Sequence, residues 1–233
     1  MVSSFDTLID LVNGETTVIY GQPMVGKTMA TVVLARYLHD TTGKPAFLIW
    51  SDANLIGEYG NFLKEVSKAT VKYVTKPRDL EITLRGIKNQ FASQEEKPYS
   101  MVVIDSITGF QEAIMSREGI DSPRTALLLG RLSQLVTREL REISAYYGIP
   151  TIMIAHQTAI FKPDSPHLGA FAGKSRKPTI VTKALRNVTL LIYQYIDPEK
   201  QKPKWLIEDI RSSRAKVDKF PKGSEFILEI KVR

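Results

Sequence analysis

Over the first two thirds of the chain, short apolar runs alternate with longer stretches whose apolar positions recur three and four residues apart. The runs are residues 16–20, 46–50, 71–74, 100–105 and 151–155. Near-continuous runs of that length are expected of strands covered on both faces, as in a parallel sheet. The stretches between them predict helices. Residues 27–38 place Met29, Val32, Val33 and Tyr37 on one face. Asn54 can cap a second helix whose inner face carries Leu55, Tyr59, Phe62, Leu63 and Val66. Pro77 and Asp79 open a third, with Leu80, Leu84, Ile87 and Phe91 as its stripe. Ser122-Pro123 starts the longest, a side-chain cap followed by proline at the first helical position. Its stripe is Leu129, Leu132, Val136, Leu140, Ile143 and Tyr147, and Gly148 stops it. Residues 4–12 read as a short lead-in helix, and the polar, glycine-containing stretch 106–121 as a loop.

Strands and helices in strict alternation predict an α/β fold, a mostly parallel central sheet flanked by helices with right-handed crossovers. After Gln157 the rhythm changes. Residues 158–180 have no periodicity and hold three prolines, two glycines and several basic residues. Strands at 188–196, 205–210 and 225–232 follow, with no helical period between them, so this end is expected to be antiparallel. The whole, residues 1–233, is expected to be a single domain with a lead-in helix at 1–15 and the antiparallel strands at 188–233.

Composition adds constraints. No apolar run approaches the roughly 18 residues of a membrane span, and the N-terminus has no basic segment followed by a long apolar one. No membrane partner is expected. The chain has no cysteine, which removes disulfides and thiolate metal sites and fits a cytoplasmic location. The net charge of +7 is uneven: residues 158–233 hold 16 Lys and Arg against 8 Asp and Glu, whereas residues 1–157 hold 16 against 17. Such asymmetry suits a polyanion, most simply nucleic acid, although a soluble surface can carry the same charge.

Candidate chemistry centres on Gly21-Gln22-Pro23-Met24-Val25-Gly26-Lys27-Thr28. The pattern G-x-x-x-x-G-K-[ST] between a strand and a helix is that of a phosphate-binding loop. Glycines let the backbone wrap an anion, the loop N–H groups point inward, Lys27 can reach the β- and γ-phosphates, and Thr28 can ligate Mg²⁺. With Met29 at the helix start, this loop is the expected ATP site. Asp105 ends the run 101–104. In such folds the strand beside the loop ends in an acid that holds Mg²⁺; an Asp there also caps turns. Hydrolysis needs a group to orient water. Asp52, after the second strand, is the first candidate and Glu58 the weaker one, though Asp52 would serve equally as a helix cap. Gln157 can contact a γ-phosphate or its water. The histidines, His39, His156 and His167, have no metal-site spacing.

Together GQPMVGKT, VVIDS, the long helix after it, IAHQT and the glycine- and base-rich loop that follows resemble the ATPase core of the RecA/RadA recombinases. The resemblance runs from about Leu8 to Ile230, and is greatest to the short archaeal paralogs of the RadB kind, which lack an N-terminal domain. It implies a RecA-like P-loop NTPase fold, with ATP and Mg²⁺ held between neighbouring subunits of a homo-oligomer. It also implies two DNA-facing loops, here at 107–121 and 158–179. The second holds Phe161, Lys162, His167, Phe171, Lys174, Arg176 and Lys177, and rings mixed with cations suit single-stranded DNA. Arg211, Arg214 and Lys216 fall where the family presents cations to a neighbour's γ-phosphate. The family usually carries Glu where Asp52 aligns, which points to slow turnover and an accessory role in recombination and repair beside a recombinase or other repair-protein partner. Two other readings share these residues: a non-enzymatic ATP-binding regulator of a recombinase, and a KaiC-like signalling ATPase.

Overall fold

The computed structural model describes residues 5–52, 55–159 and 176–228. Its strands are β1 (Thr16–Gly21), β2 (Phe47–Trp50), β3 (Thr70–Tyr73), β4 (Val102–Asp105), β5 (Thr151–Ala159), β6 (Arg176–Pro178), β7 (Leu190–Ile196), β8 (Pro203–Ile210) and β9 (Glu225–Ile227). The helices are α1 (Phe5–Val12), α2 (Lys27–Thr42), α3 (Glu58–Ser67), α4 (Pro77–Ser93), α5 (Ile107–Glu118), α6 (Pro123–Tyr147) and α7 (Arg214–Lys219), with a 3-10 helix at Thr182–Asn187.

The sheet runs β3-β2-β4-β5-β1-β7-β8-β9, with β6 paired to β5 off this path. The pairs from β3 through β7 are parallel. Pairs β7–β8, β8–β9 and β5–β6 are antiparallel. Apart from the edge strand β3, which is largely exposed, the apolar runs are continuous because both faces are covered, and the pleat deals their residues out alternately. Val18, Tyr20, Phe47, Ile49, Val102, Ile104 and Met153 join one core with α4, α5 and α6. Ile19, Leu48, Trp50, Val103, Ile152 and Ile192 join the other with α1 and α2.

Four expectations change. The stretch 106–121 is largely helix, α5, with Ile107, Thr108, Phe110, Gln111 and Ile114 buried. Polar Thr108 and Gln111 sit in its buried stripe because they bond Thr179, which breaks the apolar period. Helix α3 begins at Glu58, and Tyr59 and Phe62 face outward. Gly60 turns inward instead, so close to the Leu55 carbonyl that a Cβ would overlap it. Asn54 lies outside the described residues. Between β8 and β9 sits α7, six residues with none buried and so without an apolar stripe to read. Finally, the strand beside the phosphate loop is β5; β4, which ends in Asp105, is the next one over.

Candidate nucleotide site

The parallel strands all point one way, so β1, β2, β4 and β5 deliver their C-terminal residues to one edge. Gly21 ends β1 opposite His156 of β5, and Trp50 of β2 lies opposite Asp105 of β4. The residues singled out from the sequence at 21–29, 52, 105 and 157 therefore meet at this edge.

The loop passes from Gly21 through residues 22–26 into α2. Gly21 cannot carry a side chain, because a Cβ would lie 2.1 Å from the Gln194 carbonyl oxygen. Gly26 adopts φ 85°, which favours glycine. Gln22, Pro23 and Met24 are exposed, while Val25 and Lys27 are buried. The Lys27 Nζ reaches back across the loop and donates to the carbonyls of Gly21 (3.1 Å) and Gln22 (2.6 Å). Burial pulls its ammonium down to about 8, and the Asp105 charge opposes that shift.

Asp105 is fully buried. Burial pushes its carboxyl up to about 6; the Thr28 hydroxyl bonded to it and the Lys27 charge act the other way, and the Asp52 charge adds to the rise. Its Oδ2 has no hydrogen-bond partner. A carboxylate oxygen left over beside a threonine hydroxyl fits a hard cation, which prefers oxygen ligands. Among the described residues no group of three or more His, Cys, Asp or Glu could hold a metal ion. Mg²⁺ is commonly held by one or two carboxylates plus substrate phosphates. Thr28 and Asp105 would hold it, and it would supply charge neutralisation of the phosphates.

His156 backs the same edge. Burial and the Lys27 charge lower its pKa, against the charges of Glu112 and Asp52. Its backbone N–H donates to the Thr108 hydroxyl at 3.0 Å, and its carbonyl accepts from Thr179. Gln157 pairs with Pro178, and its Oε1 is buried without a partner. Asp52 is the acid whose charge reaches Asp105 and His156. Glu58 is exposed in the first turn of α3.

Arg211 and Arg214 lie elsewhere. Ile210 pairs with Leu190, which pairs with Thr17 near the start of β1, so both arginines follow the sheet's opposite edge. Arg211 bonds Asp209 and the Leu185 carbonyl. Arg214 is exposed, its Nε 3.9 Å from Asp218. Lys216 is tied to Asn13 and Glu15. Phe161, Lys162, His167, Phe171 and Lys174 lie outside the described residues. Arg176 stacks 3.7 Å over the Tyr193 ring and meets Glu208 at 3.5 Å. Lys177 sits in β6 opposite Thr158.

Two features of this end escaped the sequence reading. One is the group formed by buried Tyr20 and Glu208 with half-buried Tyr193 and Arg176, in which Tyr20 donates to Glu208. The other is Gln194, whose only signal was a lone amide in the apolar run LLIYQYI.

A strand–loop–helix phosphate cradle, a lysine at its mouth and an acid on the strand two places away, on a mostly parallel sheet with an antiparallel end, define a P-loop α/β fold of the RecA type. No family model matches the sequence, and no curated protein matches it. Solved structures do. The chain shares its fold over its full length with a RadB recombinase, at TM-score 0.60 and 20% identity, covering 100% of this chain and 97% of that one. No described helix is long and apolar enough to cross a membrane.

Proposed function

We propose that this chain binds ATP with Mg²⁺ at the 21–29 loop, hydrolyses it slowly, and acts as a recombinase paralog on single-stranded DNA in recombination and repair. The observation that carries the reading is the contact of Thr28 with a buried Asp105 that keeps one oxygen unpartnered, beside Lys27. Phosphate oxygens would take over the Lys27 ammonium from the Gly21 and Gln22 carbonyls. Asp52 orients the attacking water, and Gln157 accepts from that water, beside the γ-phosphate, with its unpartnered amide oxygen. Arg211 and Arg214 serve a neighbouring subunit's phosphates, since they lie at the far edge from their own loop. Phe161, Lys162, Phe171 and Lys174, with Lys177 at the loop's base, contact the strand, and Arg176 anchors that base.

One observation favours a slower, regulatory version. Asp52 is shorter by one methylene, roughly 1.5 Å, than the Glu the resemblance leads one to expect. Misplacement on that scale costs large factors in rate. ATP turnover with and without single-stranded DNA, on the wild type and Asp52→Glu, tests both. DNA stimulation of the wild type supports the DNA-coupled ATPase. Negligible turnover that rises in Asp52→Glu supports an ATP-binding regulator of a recombinase. No turnover in either, with no nucleotide binding, would sink the proposal.

A further inference from the structure

The phosphate loop is held from behind by one side chain distant in sequence. Gln194 lies in β7 and is fully buried, 0% exposed. Its Nε2 donates to the Val25 carbonyl oxygen at 2.7 Å. Its Oε1 accepts from the indole Nε1 of buried Trp205, in β8, at 2.9 Å. An indole N–H can only donate, so the amide oxygen must face Trp205 and the NH₂ must face the loop. Burying a glutamine amide is costly unless both ends are bonded, and here both are.

The consequence for the loop is geometric. In a trans peptide the carbonyl and the following N–H point in opposite directions. The one cis bond among the described residues is Asp105–Ser106, so the 25–26 peptide is trans. Holding the Val25 oxygen against Gln194 therefore turns the Gly26 N–H away from the hairpin, toward the hollow side of the loop. That is the direction an anion-binding N–H needs. Gly26, with no Cβ and φ 85°, has little of its own to fix the peptide's orientation. The hairpin also limits the loop sterically. A Cβ on Gly21 would meet the Gln194 carbonyl, and one on Gly26 would lie 3.6 Å from the Gln194 amide and 3.9 Å from Pro203. Both glycines of the motif thus pack on the β7–β8 hairpin.

We infer that Gln194 is a positioning residue for nucleotide binding: it aims the Gly26 N–H at the phosphates, while Trp205 satisfies the oxygen end of its amide. The inference rests on the phosphate-loop reading and extends it to a hairpin more than 160 residues away in sequence.

The test separates aiming from core filling. Trp205→Phe removes the indole but leaves the amide bond to Val25. The double variant Gln194→Met/Trp205→Phe replaces both partners with apolar groups and shares with Trp205→Phe whatever the smaller ring costs, so the two differ only at residue 194. Mg–ADP and Mg–ATP affinities are measured by calorimetry for the wild type, Trp205→Phe, the double variant and Lys27→Ala, alongside nucleotide-free melting. Trp205→Phe is expected to bind within threefold of the wild type. The double variant is expected to bind about tenfold more weakly than Trp205→Phe at a similar melting temperature. Binding by the double variant within threefold of Trp205→Phe overturns the inference, as does affinity lost only in step with melting temperature. Lys27→Ala reports on the underlying reading separately: wild-type binding that survives it overturns the phosphate-loop assignment, and the role of Gln194 with it.

Discussion

Asp105→Asn should make the nucleotide-free protein more stable at neutral pH while removing its response to Mg–ATP. Burial raises the Asp105 carboxyl from 3.8 to about 6. At about 1.4 kcal/mol per pH unit, keeping that group ionised costs the fold about 3 kcal/mol. The native state holds the proton more tightly than the unfolded chain. The contribution of this one group is therefore fully present below pH 3.8 and is lost as pH rises through 6. Asparagine never ionises and keeps an oxygen for the Thr28 hydroxyl. Part of the gain is returned, because Lys27 loses the charge that partly offsets its own burial. The net expectation is about 1–3 kcal/mol, or about 3–9 °C in melting temperature for a chain of this size. Thermal unfolding without nucleotide, from pH 4 to 8, should show the gap opening between about pH 4 and 6 in favour of the variant. With Mg–ATP the order should reverse, since only the wild type gains. An Asn variant that melts below the wild type at pH 7.5 without nucleotide, or a gap that is flat with pH, would refute the reasoning.

Met24 is fully exposed at φ 63°, so Met24→Gly should relieve strain without losing packing, and its urea midpoint should rise by the equivalent of about 1 kcal/mol; a lower midpoint would show that the side chain is held. For the basic segment, Lys174→Ala/Lys177→Ala should weaken single-stranded DNA binding and reduce the slope of log K against log salt by about 1.4, roughly 0.7 per lost phosphate contact, in fluorescence anisotropy titrations. Arg176→Ala should instead lower the melting temperature, because its guanidinium is held by Tyr193 and Glu208. An unchanged slope in the lysine variant would place the DNA contacts elsewhere.

Most of the sheet was legible because its central strands are buried on both faces, and α4 and α6 each carry one apolar stripe. α6 shows this, with Leu132, Val136, Leu140 and Ile143 buried and Ser122-Pro123 at its start. By contrast, α2 is buried on most sides, and its expected face at Met29 and Tyr37 is only half-buried. The phosphate loop was legible for another reason: few residue types can adopt its backbone. What stayed hidden depends on partners distant in the chain. In α5 the buried positions Thr108 and Gln111 are polar because Thr179 is there to bond them. In α3 the inward face is Gly60, Leu63 and Ser67, chosen by how closely the helix approaches the Leu55 carbonyl rather than by hydrophobicity. The place of β5 between β1 and β4 leaves no trace in any one strand, since β1, β4 and the first five residues of β5 are alike buried on both faces. Gln194 looked like an anomaly in an apolar strand until Val25 and Trp205 were seen to flank it.

The charges at the loop edge give a physical reason for nucleotide and fold to be coupled. Without phosphate, Lys27 is buried against carbonyl oxygens and its pKa falls; Asp105 is buried with one oxygen unpartnered and its pKa rises. Each group is ionised at neutral pH at a cost, and they offset one another only in part. A phosphate chain carrying a divalent cation presents the missing partner to each, an anion to Lys27 and a cation to Asp105, so binding should stabilise the fold beyond the contacts it adds. The cations that could complete charge neutralisation, Arg211 and Arg214, stand at the opposite edge of the sheet. A strand of β1's length separates them from the loop of the same molecule, so no side-chain rotation brings them there. On the proposed reading, a lone chain can bind and hold ATP, but its own Arg211 and Arg214 do not reach the γ-phosphate. Turnover then depends on a second subunit bringing its far edge against this one's loop.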